Sequence, residues 1–271
     1  MKIKRWLPHL LFMFIIIIII YPLLFIMANS FKPLKDAYQT ITSLIPQPFT
    51  LENFCYLFEN LPIIKITRNT FFIATIITVV KLGVAFFAAY SFTYCRIKGK
   101  KIWYFIIIGT MFIPFTVAMI PNYLLIAKLN LIDTTWGVII PQFADAMGIF
   151  LLTQTMREIP VSLLDVAALD NIKQTTVMSK IVFPLTRHAI TSTGIWFFIT
   201  SWNEYVWPVL ILRTVDNYTL PLATQTYISS EGGTNFTVAM AISLITMFVP
   251  LVLYAIFQKY IIGTFVSAGI K

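Results

Sequence analysis

Long apolar runs separated by short polar stretches make up most of this chain. The first covers residues 7–31 and includes six consecutive isoleucines at 15–20. Comparable runs cover about 68–94, 102–127, 136–155, 188–212 and 236–260. A helix needs about 20 apolar residues to cross a bilayer, so each run is long enough. Backbone amides in hydrocarbon must be satisfied within the segment, which favours helices over single strands. The pattern therefore predicts an all-α polytopic membrane protein with six transmembrane helices. Pro114, Pro121 and Pro141 fall inside predicted spans, where neighbouring helices can satisfy the carbonyls they free. Residues 32–65, with Pro33, Pro46, Pro48 and Pro62, read as an external loop with little regular structure. Residues 213–235, punctuated by Pro221, Gly232 and Gly233, read as a second external loop.

One polar stretch, 158–185, breaks the apolar run between the fourth and fifth spans. Pro160 interrupts any preceding helix because it lacks an amide donor. Ser162 stands three residues before Asp165, the spacing of a capping box at a helix start. Leu163, Val166, Ala167 and Leu169 follow near-helical spacing and form one apolar face. Asp170 and Asn171 then supply a turn, since asparagine follows glycine in tolerating a left-handed C-cap. A second helical run over 173–183 presents Val177, Ile181 and Val182 and is expected to stop at Pro184. The local pattern alone is also that of an ordinary, well-capped loop helix.

Composition agrees with the membrane reading. The 271 residues are 58% hydrophobic and 11% charged, with mean hydropathy +0.83. The net charge of +9 does not imply nucleic acid, because the cations are distributed by topology. Lys2, Lys4, Arg5, the group Arg96, Lys98, Lys100 and Lys101, and Arg157, Lys173, Lys180, Arg187, Lys259 and Lys271 fall on one side. Positive loops stay in the cytosol, so both termini are expected there. The first apolar run is too long for a cleavable leader and is read as a retained span. Cys55 and Cys95 belong to opposite faces, which argues against a disulfide or a metal site. His9 and His188 lie near span ends without metal-ligand company.

Four polar residues within spans are candidates for a substrate pathway: Lys81, Asp145, Asn203 and Glu204. A charge at the bilayer centre costs about 2.5–3.5 kcal/mol on insertion scales, so each should face protein or a water-filled space. Lys81 and Asp145 lie at similar depth and suit either a structural ion pair or a pathway lining. Asn203 and Glu204, flanked by Trp202, Tyr205 and Trp207, suit sugar recognition or an interfacial aromatic belt equally. No HExxH, GxSxG or Walker A sequence is present, and no catalytic or metal-binding residue is assigned.

The 158–185 segment resembles the EAA loop of ABC-importer permeases, whose pattern is EAA, two residues, DGA, eight residues, then I-x-L-P. Asp165, Val166 and Ala167 take the first three places, and Asp170, Asn171 and Ile172 the next three. Ile181 and Pro184 match, while Phe183 replaces the leucine. AAYSFTYCRIKGKK, PNYLLIAKLNLIDTTWGVIIPQFADAMGIFLL, SWNEYVWPVLIL and FQKYIIGTFVSAGIK are similar to the carbohydrate-uptake branch, in the manner of the maltose importer. The resemblance implies a type I importer permease fold in the plasma membrane of a prokaryote. It divides the chain into an N-terminal helix and external loop at 1–66, a transmembrane domain at 67–260 and a cytosolic tail at 261–271. Its implied partners are a second permease in a heterodimer, two cytosolic ATPases, an extracellular solute-binding protein and a sugar. ATP would be used on the ATPases and no cofactor on this chain, which would not be an enzyme. ATPase coupling would fall to Asp165, which caps and orients the helix, to Ala167 and Ala168 at close approach, and to Asp170, Asn171 and Pro184. The competing readings are an importer permease for another solute and an ion-coupled secondary transporter.

Overall fold

The computed structural model describes residues 3–37, 43–228 and 236–269, with side chains over 8–35, 43–228 and 236–258. All regular structure among these residues is helical. In chain order the α-helices are α1 (Ile3–Ser30), α2 (Leu34–Ala37), α3 (Glu52–Asn60), α4 (Ile63–Tyr94), α5 (Lys100–Gly109), α6 (Phe115–Lys128) and α7 (Thr135–Ile139). There follow α8 (Ala146–Arg157), α9 (Val161–Leu169), α10 (Gln174–Val177), α11 (Phe183–Trp202), α12 (Val206–Ile211), α13 (Leu220–Ile228) and α14 (Phe236–Gly269). Lys2, Gly232, Gly233 and Lys271 lie outside the described residues. The expected tail after residue 260 is the end of α14, which stays helical to Gly269.

Six spans were expected. Among the described residues, three helices are long and apolar enough to cross a membrane: Pro8–Ser30, Ile63–Tyr94 and Phe236–Gln258. Two bent pairs, Lys100–Phe112 with Phe115–Lys128 and Thr135–Gln142 with Ala146–Arg157, raise the count to five if each is one span. The first pair bends by 98° at Ile113 and Pro114. The cause is local: the proline ring disfavours helical geometry at the residue before it, and Ile113 is extended with ψ 114°. The expected fifth span is divided into α11 and α12 around Asn203–Tyr205 and does not join that set.

The chain divides into two compact units, Met1–Thr67 with Tyr218–Leu251, and Arg68–Asn217 with Val252–Lys271. In the first unit, residues 32–65 hold more structure than their prolines suggested. Asn53 on α3 donates to the carbonyls of Ser30 and Lys32, both at 2.8 Å, and accepts from the Thr237 hydroxyl at 2.8 Å. Lys32 is buried and donates to the Ser43 carbonyl at 2.6 Å and Asn29 Oδ1 at 3.2 Å. Burial lowers the pKa of its ammonium. Buried polar groups must find partners, and here those partners tie the loop down.

The second unit is built on a core from α4, α8, α9, α10, the turn after it, and α11. Ala85, Phe86, Ala89 and Tyr90 supply one stripe of α4, and Ile149, Leu152 and Met156 one stripe of α8. Both follow helical spacing. Gly148 permits a close approach of α8 to α11 and α4, since a Cβ there would stand 2.4 Å from Phe197 Cζ and 3.3 Å from Ala85 Cβ. At the far end, Lys100 donates to the Thr93 and Cys95 carbonyls at 3.1 and 3.2 Å, closing the C-terminus of α4. The cysteines Cys55 and Cys95 are free.

Candidate functional site

The 158–185 segment folds as two helical pieces joined by a turn. The helix starts earlier than the capping-box spacing implied. Pro160, with φ −58° and no amide to leave unsatisfied, precedes its first turn, and no side chain caps that end. Ser162 and Asp165 are therefore inside α9, and the assignment of Asp165 as a cap is corrected. Asp165 is exposed and lines a cavity of about 500 Å³ with Tyr94, Arg157, Leu164 and Gln174.

The C-terminal turn of α9 forms as read. Asn171 has φ 51°, the Asn171 amide donates to Ala168 O at 3.1 Å, and the Ile172 amide donates to Ala167 O at 2.9 Å. This is a Schellman closure with asparagine in place of glycine. The apolar residues do not share one face. Ala167 is buried at 3% exposure, whereas Leu163, Val166 and Leu169 are 45%, 57% and 81% exposed. Ala168 and Asp170 are also exposed. The helix thus packs through Ala167, with the half-buried Leu164 beside it, and turns Leu163, Val166 and Leu169 outward.

Pro184 does not stop the second run. It sits in the first turn of α11, which continues to Trp202. The five residues Met178–Val182 before it form a π-turn. A widened turn accommodates the missing amide and the proline ring, so the helix carries on where sequence reasoning ended it. Tyr94, which the sequence did not single out, ties this region to the span above it. Its hydroxyl donates to the Met156 carbonyl at 2.6 Å, joining the ends of α4 and α8.

The four polar candidates within spans fall around two helix breaks. Asp145 is extended, with φ −145°, and its Oδ1 accepts from the Gly148 amide at 2.9 Å at the start of α8. Its Oδ2 lies 3.9 Å from Lys81 Nζ on α4. Lys81 also stands over the buried Phe197 ring, 5.4 Å from its centroid. Glu204 Oε1 accepts from the amides of Val206 at 2.8 Å and Trp207 at 3.2 Å. Asn203 closes α11, donating to the Ile199 carbonyl at 2.9 Å. The sequence signalled neither Phe197 nor Gly148, because both act through packing between helices distant along the chain.

A second cluster lies at the end of this unit away from α9. Asp133, with φ 60°, accepts from the Arg213 amide at 2.8 Å, the Thr214 amide at 3.0 Å and the Thr214 hydroxyl. Its own carbonyl accepts from Asn217 Nδ2 at 2.7 Å. Burial alone would push this carboxyl up, but the hydrogen bonds from Thr214, Arg213 and Asn217 outweigh it and hold it well below the usual carboxylate range. Among the described residues, no group of His, Cys, Asp and Glu could hold a metal ion.

The second unit is thus made of interrupted helices with the short helix α9 hung between two of them. The model of the family described as binding-protein-dependent transport system inner membrane component matches residues 81–263. The chain belongs to that family: it is a membrane-embedded permease of binding-protein-dependent transport and not an enzyme. It is 29% identical over 272 residues to the arabinooligosaccharides transport system permease protein AraQ of Halalkalibacterium halodurans, covering 99% of this chain and 97% of that one. It is 27% identical over 267 residues to the sn-glycerol-3-phosphate transport system permease protein UgpE of Yersinia pestis bv. Antiqua, covering 96% and 95%. A crystal structure of a bacterial ABC transporter involved in the import of the acidic polysaccharide alginate superposes with a TM-score of 0.85 at 22% identity, over 96% of each chain. That likeness shows the type I importer permease fold. Family membership sets aside the ion-coupled secondary transporter.

Proposed function

We propose that this chain is one of two permease subunits lining the membrane pathway of an ABC importer for a sugar or oligosaccharide. The arabinooligosaccharide and alginate named for two of the relatives support a carbohydrate. Its partners are a second permease, two cytosolic ATPases that hydrolyse the ATP, and an extracellular solute-binding protein. Both termini and α9 face the cytosol, consistent with the concentration of Lys and Arg there.

The observation that carries this reading is α9 itself. A short helix with Leu163, Val166 and Leu169 turned outward and its end locked by Asn171 is suited to seating in a groove of a partner. Closure of the ATPases would move the seated helix. Through Ala167 in the core and the Tyr94–Met156 hydrogen bond, that motion would reach α4 and α8. Asp165, Ala168, Asp170 and Pro184 shape this unit and its approach to the groove.

Replacing Val166 or Leu169 with Asp tests the assignment, since both are exposed and their loss leaves the core intact. Retention of the ATPases on the purified permease pair should fall by at least about tenfold, equivalent to about 1.4 kcal/mol. The permease chain purified alone should hydrolyse no ATP. Undiminished ATPase retention and sugar uptake in both variants would refute the role given to α9.

A further inference from the structure

Lys81 lies just past the middle of a helix that runs unbroken from Ile63 to Tyr94. The segments that face it are both interrupted. One restarts after Asp145 and the other after Glu204, and each restart has a carboxylate accepting from the new backbone amides. Asp145 is 3.9 Å from the Lys81 ammonium, and Glu204 follows by about two helical turns the Phe197 ring over which Lys81 stands. One cation and two carboxylates leave a formal charge of −1 for the group.

Interrupted helices with polar groups inside a membrane mark the transport sites of many carriers. The cluster is also open: the Lys81 and Asp145 side chains are 12% and 25% exposed, with Ala144, Asn203 and Tyr205 exposed beside the two breaks. Charged edges turned to lipid are costly on insertion scales, so the open side faces water. The relatives do not decide what charge of cargo passes, because the cargo named for them includes both neutral and acidic molecules.

We propose that Lys81, Asp145 and Glu204 form a net-anionic charge filter on the pathway wall, which passes uncharged sugars and opposes carboxylated or phosphorylated ones. Lys81 does not serve as a receptor for acidic cargo, because Asp145 already holds it. Asn203 and the exposed Tyr205 ring supply neutral polar and stacking contacts at the same level. The proposal rests on the importer reading and narrows its substrate class to neutral saccharides.

The test uses the assembled transporter in proteoliposomes with Cys55 and Cys95 replaced by Ser and one reporter cysteine, Ala144→Cys or Asn203→Cys. Two methanethiosulfonate reagents are compared, one carrying trimethylammonium and one carrying sulfonate. The cation-to-anion rate ratio should exceed that for free glutathione by roughly tenfold or more, as expected for a cleft lined by one sign of charge. Adding Glu204→Gln should bring the ratio down towards that of glutathione, and adding Lys81→Met should raise it. Reporters that react with neither reagent, or a ratio insensitive to Glu204→Gln, would overturn the filter. Uptake of arabinotriose and trigalacturonate by liposomes holding the wild-type transporter separates this from the broader reading. Preferred arabinotriose uptake supports the filter, and equal uptake of the acid overturns it. A filter-like rate ratio without uptake of either sugar would count against the sugar reading instead.

Discussion

Asp133 combines a left-handed backbone with a carboxylate that gathers three donors from Arg213 and Thr214. Because its folded pKa is depressed, its contribution to stability is fully present above the unfolded value, about 3.9. That contribution is lost as the pH falls below this value towards the folded pKa. The 213–217 loop should therefore hold its amide protection from neutral pH down to about pH 5 and lose it under stronger acid. Hydrogen exchange at Arg213 and Thr214 reads this directly. Asp133→Ala should show the unprotected behaviour at neutral pH, and wild-type protection in that variant would show that the carboxylate does not hold the loop. Nothing in the sequence around LNLIDTT pointed to this role, because its partners lie about 80 positions away.

In α9 the sequence and the fold divide the work. The turn at Asn171 was legible because tolerance of a left-handed backbone is a property of a single residue type. Asn171→Val should cost about 1–2 kcal/mol, because a branched side chain is strained at that φ. ATPase retention should fall with it, while Asn171→Gly should retain both the turn and the retention. Equal behaviour of the two variants would show that the turn geometry is unimportant. The N-terminus was misread: Ser162 and Asp165 have capping-box spacing, but Pro160 had already set the helix start. Pro184 was misread for the converse reason, since a π-turn over Met178–Val182 lets the backbone pass it.

Across the second unit, Lys81 and Asp145 join the unbroken α4 to the start of α8, while Tyr94 and Met156 join the other ends of the same two helices. The pair should show as coupling in a double-mutant cycle. Lys81→Met and Asp145→Asn should each lower the thermal stability of the purified transporter. The double variant should lose less than the sum by 0.5 kcal/mol or more, within the roughly 0.5–3 kcal/mol range of contacting residues. Simple additivity would show that the two charges do not act together in the membrane.

The sequence by itself determined that the chain is helical and membrane-embedded, and where its apolar runs and its one amphipathic insertion lie. These follow from composition and local spacing, which hydrocarbon enforces residue by residue. It also placed Lys81 and Asp145 at similar depth, because rise per residue along a helix is constant. The tertiary structure decided which helices are broken, that both restarts carry a carboxylate, and that Phe197 and Gly148 shape the space around Lys81. It also decided that Leu163, Val166 and Leu169 point outward while Ala167 points in. Such facts depend on which neighbours a side chain meets, and helix-to-helix contacts are made between residues far apart in the chain, where no local periodicity records them.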